Sequence, residues 1–443
     1  MAREGMMVSK VFHDSGRSMA QYSGILCHLT SLPSGDLSEA ERFIDMLVVS
    51  GASVWQMLPL TPPDEHASPY SSPSAFAAWD GWVEESADSE FDMSAESYWL
   101  RDWALYRVIK KEQDGKPWFE WPDELKNKDA DALARYSTRE VIEEQKRFMQ
   151  RWEDIKEYAN NRGVSLIGDL PIFIAHDSAD VWAHRELFQL DEKGQPVVVA
   201  GVPPDYFNED GQRWGMVLYD WQSHEDEGWE WWRQRMGRML RLFDMVRVDH
   251  FRGIHSAWAI PAEAETARDG AWQEGPKDAL VEQLLEVAGS PRHIIAEDLG
   301  IIPPEVVELR KRHGLEGMAV LHFGFDDDNA DNPHRPENIS FDQVVYTGTH
   351  DNDTTLGWWD SAPPERRSRV ERHREEGESV PRCLIRLALE SAAGMAIIPL
   401  QDIMELGSEA RMNMPGTGHG NWRWRFDWEQ IQDFMLEPVE SES

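Results

Sequence analysis

Eight short apolar segments recur between residues 23 and 400, separated by stretches of helical period, and this recurrence limits the possible folds more than any single motif. They span residues 23–29, 52–60, 164–173, 245–250, 293–299, 318–325, 344–348 and 395–400. The second, 52–60, is apolar at nearly every position, the pattern of a strand buried on both faces of a parallel sheet. Between the first two segments, Leu37, Ala40, Phe43, Ile44, Leu47 and Val48 recur at helical spacing, and Gly51 supplies a stop. Further helices are predicted over 141–161, stopped at Gly163, and over 278–288. Another opens at Pro303 and Pro304 and closes at Lys311 and Arg312, in keeping with capping and the helix dipole. Strands alternating with helices in this number predict an α/β fold, a (β/α)8 (TIM) barrel occupying residues 1–443 as one domain.

Long excursions follow the second, third and fourth strands. Residues 79–140 lose the alternation and become acidic and tryptophan-rich, which predicts a helical insertion subdomain. A second insertion occupies residues 176–235, and the stretch between the fourth strand and the helix at 278 is expected to be loop.

The chain carries 81 acidic against 44 basic residues, a formal charge of −37. Such a surface repels nucleic acid and anionic membrane, so neither is an expected partner. It suits a neutral or cationic ligand, or a salt-rich cytoplasm. No apolar run approaches the roughly 20 residues that span a bilayer. Residues 1–18 are polar and lack a signal-peptide core, so a cytoplasmic location is expected. Cys27 and Cys383 stand far apart and predict neither a disulfide nor a thiolate metal site.

In a barrel of this kind the loops after the strand C-termini build the active site. The acidic clusters lie there: Asp169 after the third strand, Asp249 after the fourth, Glu297 and Asp298 after the fifth, Asp351 after the seventh. Breaking a glycosidic bond with retention requires one ionised carboxylate as nucleophile and one protonated carboxyl as acid. Asp249, flanked by Arg247 and Arg252, is the expected nucleophile, because adjacent positive charge favours the anion. Glu297 is the expected acid/base, since Ala296 and the apolar strand before it would desolvate the carboxyl; Asp298 is its rival. Asp351 would hold sugar hydroxyls at the transition state. For any one of these acids a barrel-rim salt bridge is the competing explanation.

His250 and His350 could ligate a metal, but hydrogen bonding to a substrate hydroxyl is the simpler role. The glycines around Gly416-Thr-Gly-His-Gly420 neither follow a strand nor open a helix, which argues against a nucleotide loop. No nucleophile elbow, Walker loop or zincin helix is present. Most of the 21 tryptophans are expected in the core, whereas Trp214 and Tyr70, placed in loops, suit sugar stacking.

In order along the chain stand Ser23-Gly-Ile-Leu26, Trp55-Gln-Met-Leu-Pro-Leu60, Ser68-Pro-Tyr70, Gly168-Asp-Leu-Pro-Ile-Phe173 and Val202-Pro-Pro-Asp-Tyr-Phe207. Arg247-Val-Asp-His-Phe-Arg252, Ala296-Glu-Asp-Leu-Gly300, Thr347-Gly-Thr-His-Asp-Asn352 and Asn421-Trp-Arg-Trp-Arg425 complete the series. This series resembles the 4-α-glucanotransferases (amylomaltases or disproportionating enzymes) of glycoside hydrolase family 77. The resemblance implies a (β/α)8 barrel that transfers α-1,4-glucan segments between maltodextrins through a covalent glycosyl-enzyme. Its partners would be maltodextrins, glucans derived from starch or glycogen, and glucose as acceptor. It implies Asp249 as nucleophile, Glu297 as acid/base and Asp351 as transition-state stabiliser. It further implies sugar contacts from Ser68, Tyr70, Asp169, Asp205, Trp214, Arg247 and His350, with no metal and no organic cofactor. Trp214 would lie on a loop covering the acceptor side, which makes the 176–235 insertion the expected substrate cover. Two departures stand out: Met216-Val217 where the family usually has Asn-Pro, and Lys277 where it has glycine. An α-glucan hydrolase and a catalytically silent glucan-binding protein are the alternatives.

Overall fold

The computed structural model describes residues 22–84, 89–204, 209–431 and 434–436. Its centre is an eight-stranded sheet built from β1 (Tyr22–Leu26), β2 (Val54–Gln56), β3 (Ser165–Pro171), β6 (Met245–Asp249), β9 (Ile294–Ala296), β10 (Gly317–Val320), β11 (Gln343–Tyr346) and β12 (Met395–Pro399). The strands run in the order β10-β11-β12-β1-β2-β3-β6-β9, and every neighbouring pair is parallel. The two ends of that order meet where Ile295 bridges Glu316 and the Ala296 N–H donates to the Glu316 carbonyl at 2.8 Å. This contact closes the sheet into a (β/α)8 barrel, as the sequence pattern requires.

The barrel strands read as apolar runs because both faces are buried. Leu26, Val54, Ile167, Met245, Ile295, Met318, Val344 and Ile397 fill the interior. Their chain neighbours Ile25, Trp55, Leu166, Val246, Ile294, Ala319, Val345 and Ala396 point outward into the layer packed under the helices. A period of 2 thus operates inside a sequence that looks continuous. The helix Ala40–Val49 shows the complementary logic: Ala40, Phe43, Ile44 and Leu47 are buried, whereas Val48 lies outside the core and is 43% exposed.

Two expectations need correction. The sixth strand stops at Val320 and turns into the short helix Leu321–Gly324. There the His322 ring stacks on Trp358 at 4.5 Å and its Nε2 meets the Thr355 hydroxyl at 3.0 Å, which draws the chain out of the sheet. The excursions after the third and fourth barrel strands are not merely loop. They contribute β4 (Val198–Val202), β5 (Gln212–Val217), β7 (Ser256–Pro261) and β8 (Ala271–Glu274), which form an antiparallel sheet in the order β5-β4-β7-β8.

The stretch between β2 and β3 carries the helices Ser97–Glu112, Asp123–Lys126 and Ala130–Leu133 before the long helix Arg139–Asn160. The helix Glu230–Leu242 crosses residue 235, the end expected for the second insertion, and belongs with the barrel. Its Arg235 donates to the carbonyls of Pro171 and Ile172 at the end of β3.

Candidate active site

Register places the first charged cluster. Pairing of β3 with β6 sets Asp169 opposite Arg247 and Pro171 opposite Asp249. Arg247 is 3% exposed, and its Nη1 donates to Asp169 Oδ1 at 2.8 Å and Oδ2 at 2.7 Å. Its Nη2 lies 2.9 Å from Asp249 Oδ1. One guanidinium therefore orients two carboxylates; Asp169 is buried, while Asp249 is part-exposed at the strand end. The Tyr70 hydroxyl donates to Asp169 Oδ2 at 2.6 Å, and burial beside that carboxylate raises its pKa. Ser68 holds the Tyr70 loop: its N–H donates to Asp64 at 2.8 Å, and its hydroxyl accepts from the Tyr70 N–H at 3.3 Å.

Glu297 leaves the end of β9, the strand beside β6. Its Oε2 accepts from the His250 N–H at 2.7 Å and its Oε1 from the Leu299 N–H at 2.9 Å. Burial pushes this carboxyl up to about 7, with the Arg247 charge and the two N–H donors pulling down and Asp249 pushing further up. His250 presents its N–H from a left-handed backbone conformation, φ 51°. Its ring meets Trp214 edge to face at 4.9 Å, and burial lowers its pKa to about 4, so the ring is neutral at pH 7. Asp298 turns the other way: Oδ2 pairs with Arg310 at 3.0 Å and Oδ1 accepts from the Met318 N–H at 2.8 Å. It is a rim salt bridge, whereas Glu297 is the carboxyl held at the end of β9 beside β6.

Asp351 follows β11 in a turn closed by Thr349 and Asn352. Its Oδ1 accepts from Asn413 Nδ2 at 2.6 Å and lies 3.4 Å from His350 Nε2. The Tyr70 and His350 rings stack at 5.3 Å, and Trp422 packs against both. Arg411 donates to the Asp351 carbonyl at 2.7 Å. Asn413 and Arg411 escaped the sequence reading; their position just beyond the eighth strand, at the active-site end of a barrel, was the available signal. A pocket opens beside His350, lined also by His28, Thr349, Asn352 and Arg411.

The structure thus gathers Tyr70, Asp169, Arg247, Asp249, His250 and Glu297 through direct contacts, and joins His350 and Asp351 to them through Tyr70. Trp214 stands on the edge strand β5 against His250 and Phe173. Asp205 lies outside the described residues. Among the described residues, no group of three or more His, Cys, Asp or Glu side chains is arranged to hold a metal ion, and no helix is long and apolar enough to cross a membrane.

These features define the class: a (β/α)8 barrel with a carboxylate-rich cleft at the C-terminal ends of its strands. The profile of the 4-alpha-glucanotransferase family matches residues 27–84 and 81–430. The 4-alpha-glucanotransferase of Thermus thermophilus is 42% identical over 473 residues, covering 91% of this chain and 94% of that protein. That of Aquifex aeolicus is 40% identical, covering 93% of this chain and 97% of that protein. The amylomaltase of Streptococcus agalactiae, solved in complex with acarbose, superimposes with a TM-score of 0.87 at 32% identity, over 93% of this chain and 96% of that one. The chain belongs to the 4-alpha-glucanotransferase family, and its reaction is glucan transfer.

Proposed function

We propose that the chain moves α-1,4-glucan segments between maltodextrins by a double displacement at Asp249, Glu297 and Asp351. The observation that carries this reading is the pairing of β6 with β9. It sets an arginine-bound carboxylate, Asp249, beside a buried carboxyl raised to about 7, Glu297. Arg247 supports Asp249 as the ionised nucleophile. Glu297 protonates the bridging oxygen as Asp249 attacks the anomeric carbon, which leaves an α-glucan joined covalently to Asp249. It then takes a proton from the incoming 4-hydroxyl of the acceptor, so two inversions keep the α configuration. Asp351, set by Asn413 and His350, holds hydroxyls of the reacting ring, and Tyr70 with Asp169 borders the same ring.

Transfer requires that water be kept from the glycosyl-enzyme and that the acceptor be held in place. We assign that cover to the 176–235 insertion, whose Trp214 leans on His250, with Asp205 and Ser68 as further sugar contacts. Maltodextrins and glucans from starch or glycogen serve as donors, with glucose among the acceptors. A cytoplasmic site of action fits the two buried free thiols, Cys27 and Cys383, which suit a reducing compartment.

The roles are tested by trapping. An α-maltosyl fluoride donor needs no acid to depart, so Glu297→Gln should accumulate a glycosyl-enzyme whose added mass maps to the peptide bearing Asp249. An added mass on another carboxylate, or none while the fluoride is consumed, overturns the assignment.

A further inference from the structure

Two exposed apolar side chains stand beside the strand-end loops: Trp272 on β8 is 43% exposed and Ile301 is 76% exposed. Trp272 pairs in register with Trp258 of β7, and their rings meet edge to face at 5.1 Å, inclined at 65°. Trp258 is itself fixed by its indole N–H, which donates to the Ala267 carbonyl at 2.8 Å. The Arg252 guanidinium lies 3.8 Å from the Trp272 ring centroid and donates to the Ile301 carbonyl. Arg252 follows Asp249 closely in the chain, and Ile301 follows Glu297. Ring, guanidinium and Ile301 are therefore tied into the two loops that carry the reacting carboxylates.

The exposed Val48 and Val49 lack this setting. Val48 and Val49 end the outer helix Ala40–Val49, away from the strand C-termini, and scattered residues of that kind are ordinary surface.

We propose that the uncovered face of Trp272, extended by Ile301, is a binding platform for an α-1,4-glucan chain on the acceptor side of the cleft. It would hold glucose units beyond those at the reacting bond. This rests on the reading of Glu297 as acid/base: the group that protonates the bridging oxygen borders the departing chain, and its loop leads to Ile301. A pyranose offers a flat C–H face that packs on an indole, and the neutral ligand is indifferent to a net charge of −37. Arg252 and Trp258 hold the ring before any ligand arrives, so little side-chain freedom is lost on binding.

Two readouts test the platform. The first is the KM for acceptors from glucose to maltoheptaose with a fixed donor. Trp272→Ala should flatten the gain in affinity with chain length, weakening the longest acceptors by roughly threefold to tenfold, the worth of one aromatic contact. Trp272→Phe, which keeps a stacking surface, should restore most of that gain. Ile301→Ser, a change at an exposed side chain, should move the profile the same way by less. An equal loss at every chain length, or no loss at any, contradicts the platform.

The second readout is migration of the Asp249→Asn protein through gels containing amylose, with and without Trp272→Ala. Retardation should depend on Trp272. Trp272-dependent retardation, found while the parental protein fails to transfer glucan, would keep the platform and overturn the reaction assignment. Active transfer with Trp272-independent retardation would do the reverse.

Discussion

Arg247 reaches both oxygens of Asp169 through one guanidinium nitrogen, at 2.8 and 2.7 Å, and Asp249 through the other, at 2.9 Å. Lysine cannot reproduce that geometry, since its charge is a single point without a planar fork. Arg247→Lys should therefore lower kcat/KM by about 10²-fold or more, equivalent to the roughly 3 kcal/mol lost when one partner of a buried charge network is removed. Steady-state kinetics on a folded variant checks this, and parental activity would remove Arg247 from the site.

In the proposed acid/base role, Glu297 should set the alkaline limb of the pH profile. Its pKa is raised to about 7, so the protonated form needed to cleave the donor is depleted as pH rises through that value. With maltotriose, kcat/KM for the donor should fall above pH about 7. With α-maltosyl fluoride, whose departure needs no proton, the limb should vanish. An alkaline fall of the same size for both donors would place the titration elsewhere.

Lys277 occupies a backbone conformation, φ 51° and ψ −124°, that favours glycine. It is pinned there because its N–H donates to the Ile254 carbonyl at 3.0 Å and Gly275 lies against the same carbonyl. Lys277→Gly should raise stability by about 1–3 kcal/mol by relieving that strain. The exposed contact of Lys277 with Glu274 at 3.4 Å contributes little in return. Denaturant midpoints compare the two proteins, and a destabilised glycine variant would refute the strain argument.

The charge of −37 should make stability depend on salt. Self-repulsion opposes the compact state, and screening shortens each charge's reach from about 30 Å at 0.01 M to about 3 Å at 1 M. The thermal midpoint should rise as KCl goes from millimolar to molar, as suits a salt-rich cytoplasm. A flat or falling midpoint would reduce the acidity to ordinary solubility.

The barrel was legible in the sequence because burial on both faces leaves uninterrupted apolar runs, as at Ile294 to Ala296, and because glycines such as Gly51 and Gly163 mark helix ends in positive φ. The strand-end acids were legible for the same reason, since their places follow from the strands. The antiparallel sheet was not. β8, the sequence Ala-Trp-Gln-Glu, has mostly exposed side chains, and β5, Gln-Arg-Trp-Gly-Met-Val, is buried only at its last residue, so no apolar run separated them from loop. Asp298 stayed a rival to Glu297 in the sequence because what separates them is Arg310, which reaches back from the following helix to pair with Asp298 and with Asp342. Asn413 was invisible because its partner Asp351 is distant in the chain, and only the closed barrel brings the loops after β11 and β12 together.

The central claim, that a shielded glycosyl-enzyme on Asp249 passes its glucan to a sugar and not to water, is tested most directly by following reducing ends during incubation with maltotriose. The account predicts glucose together with maltopentaose and longer chains, all α-linked, while the total number of reducing ends stays constant. A steady rise in reducing ends, with no product longer than the substrate, would contradict it.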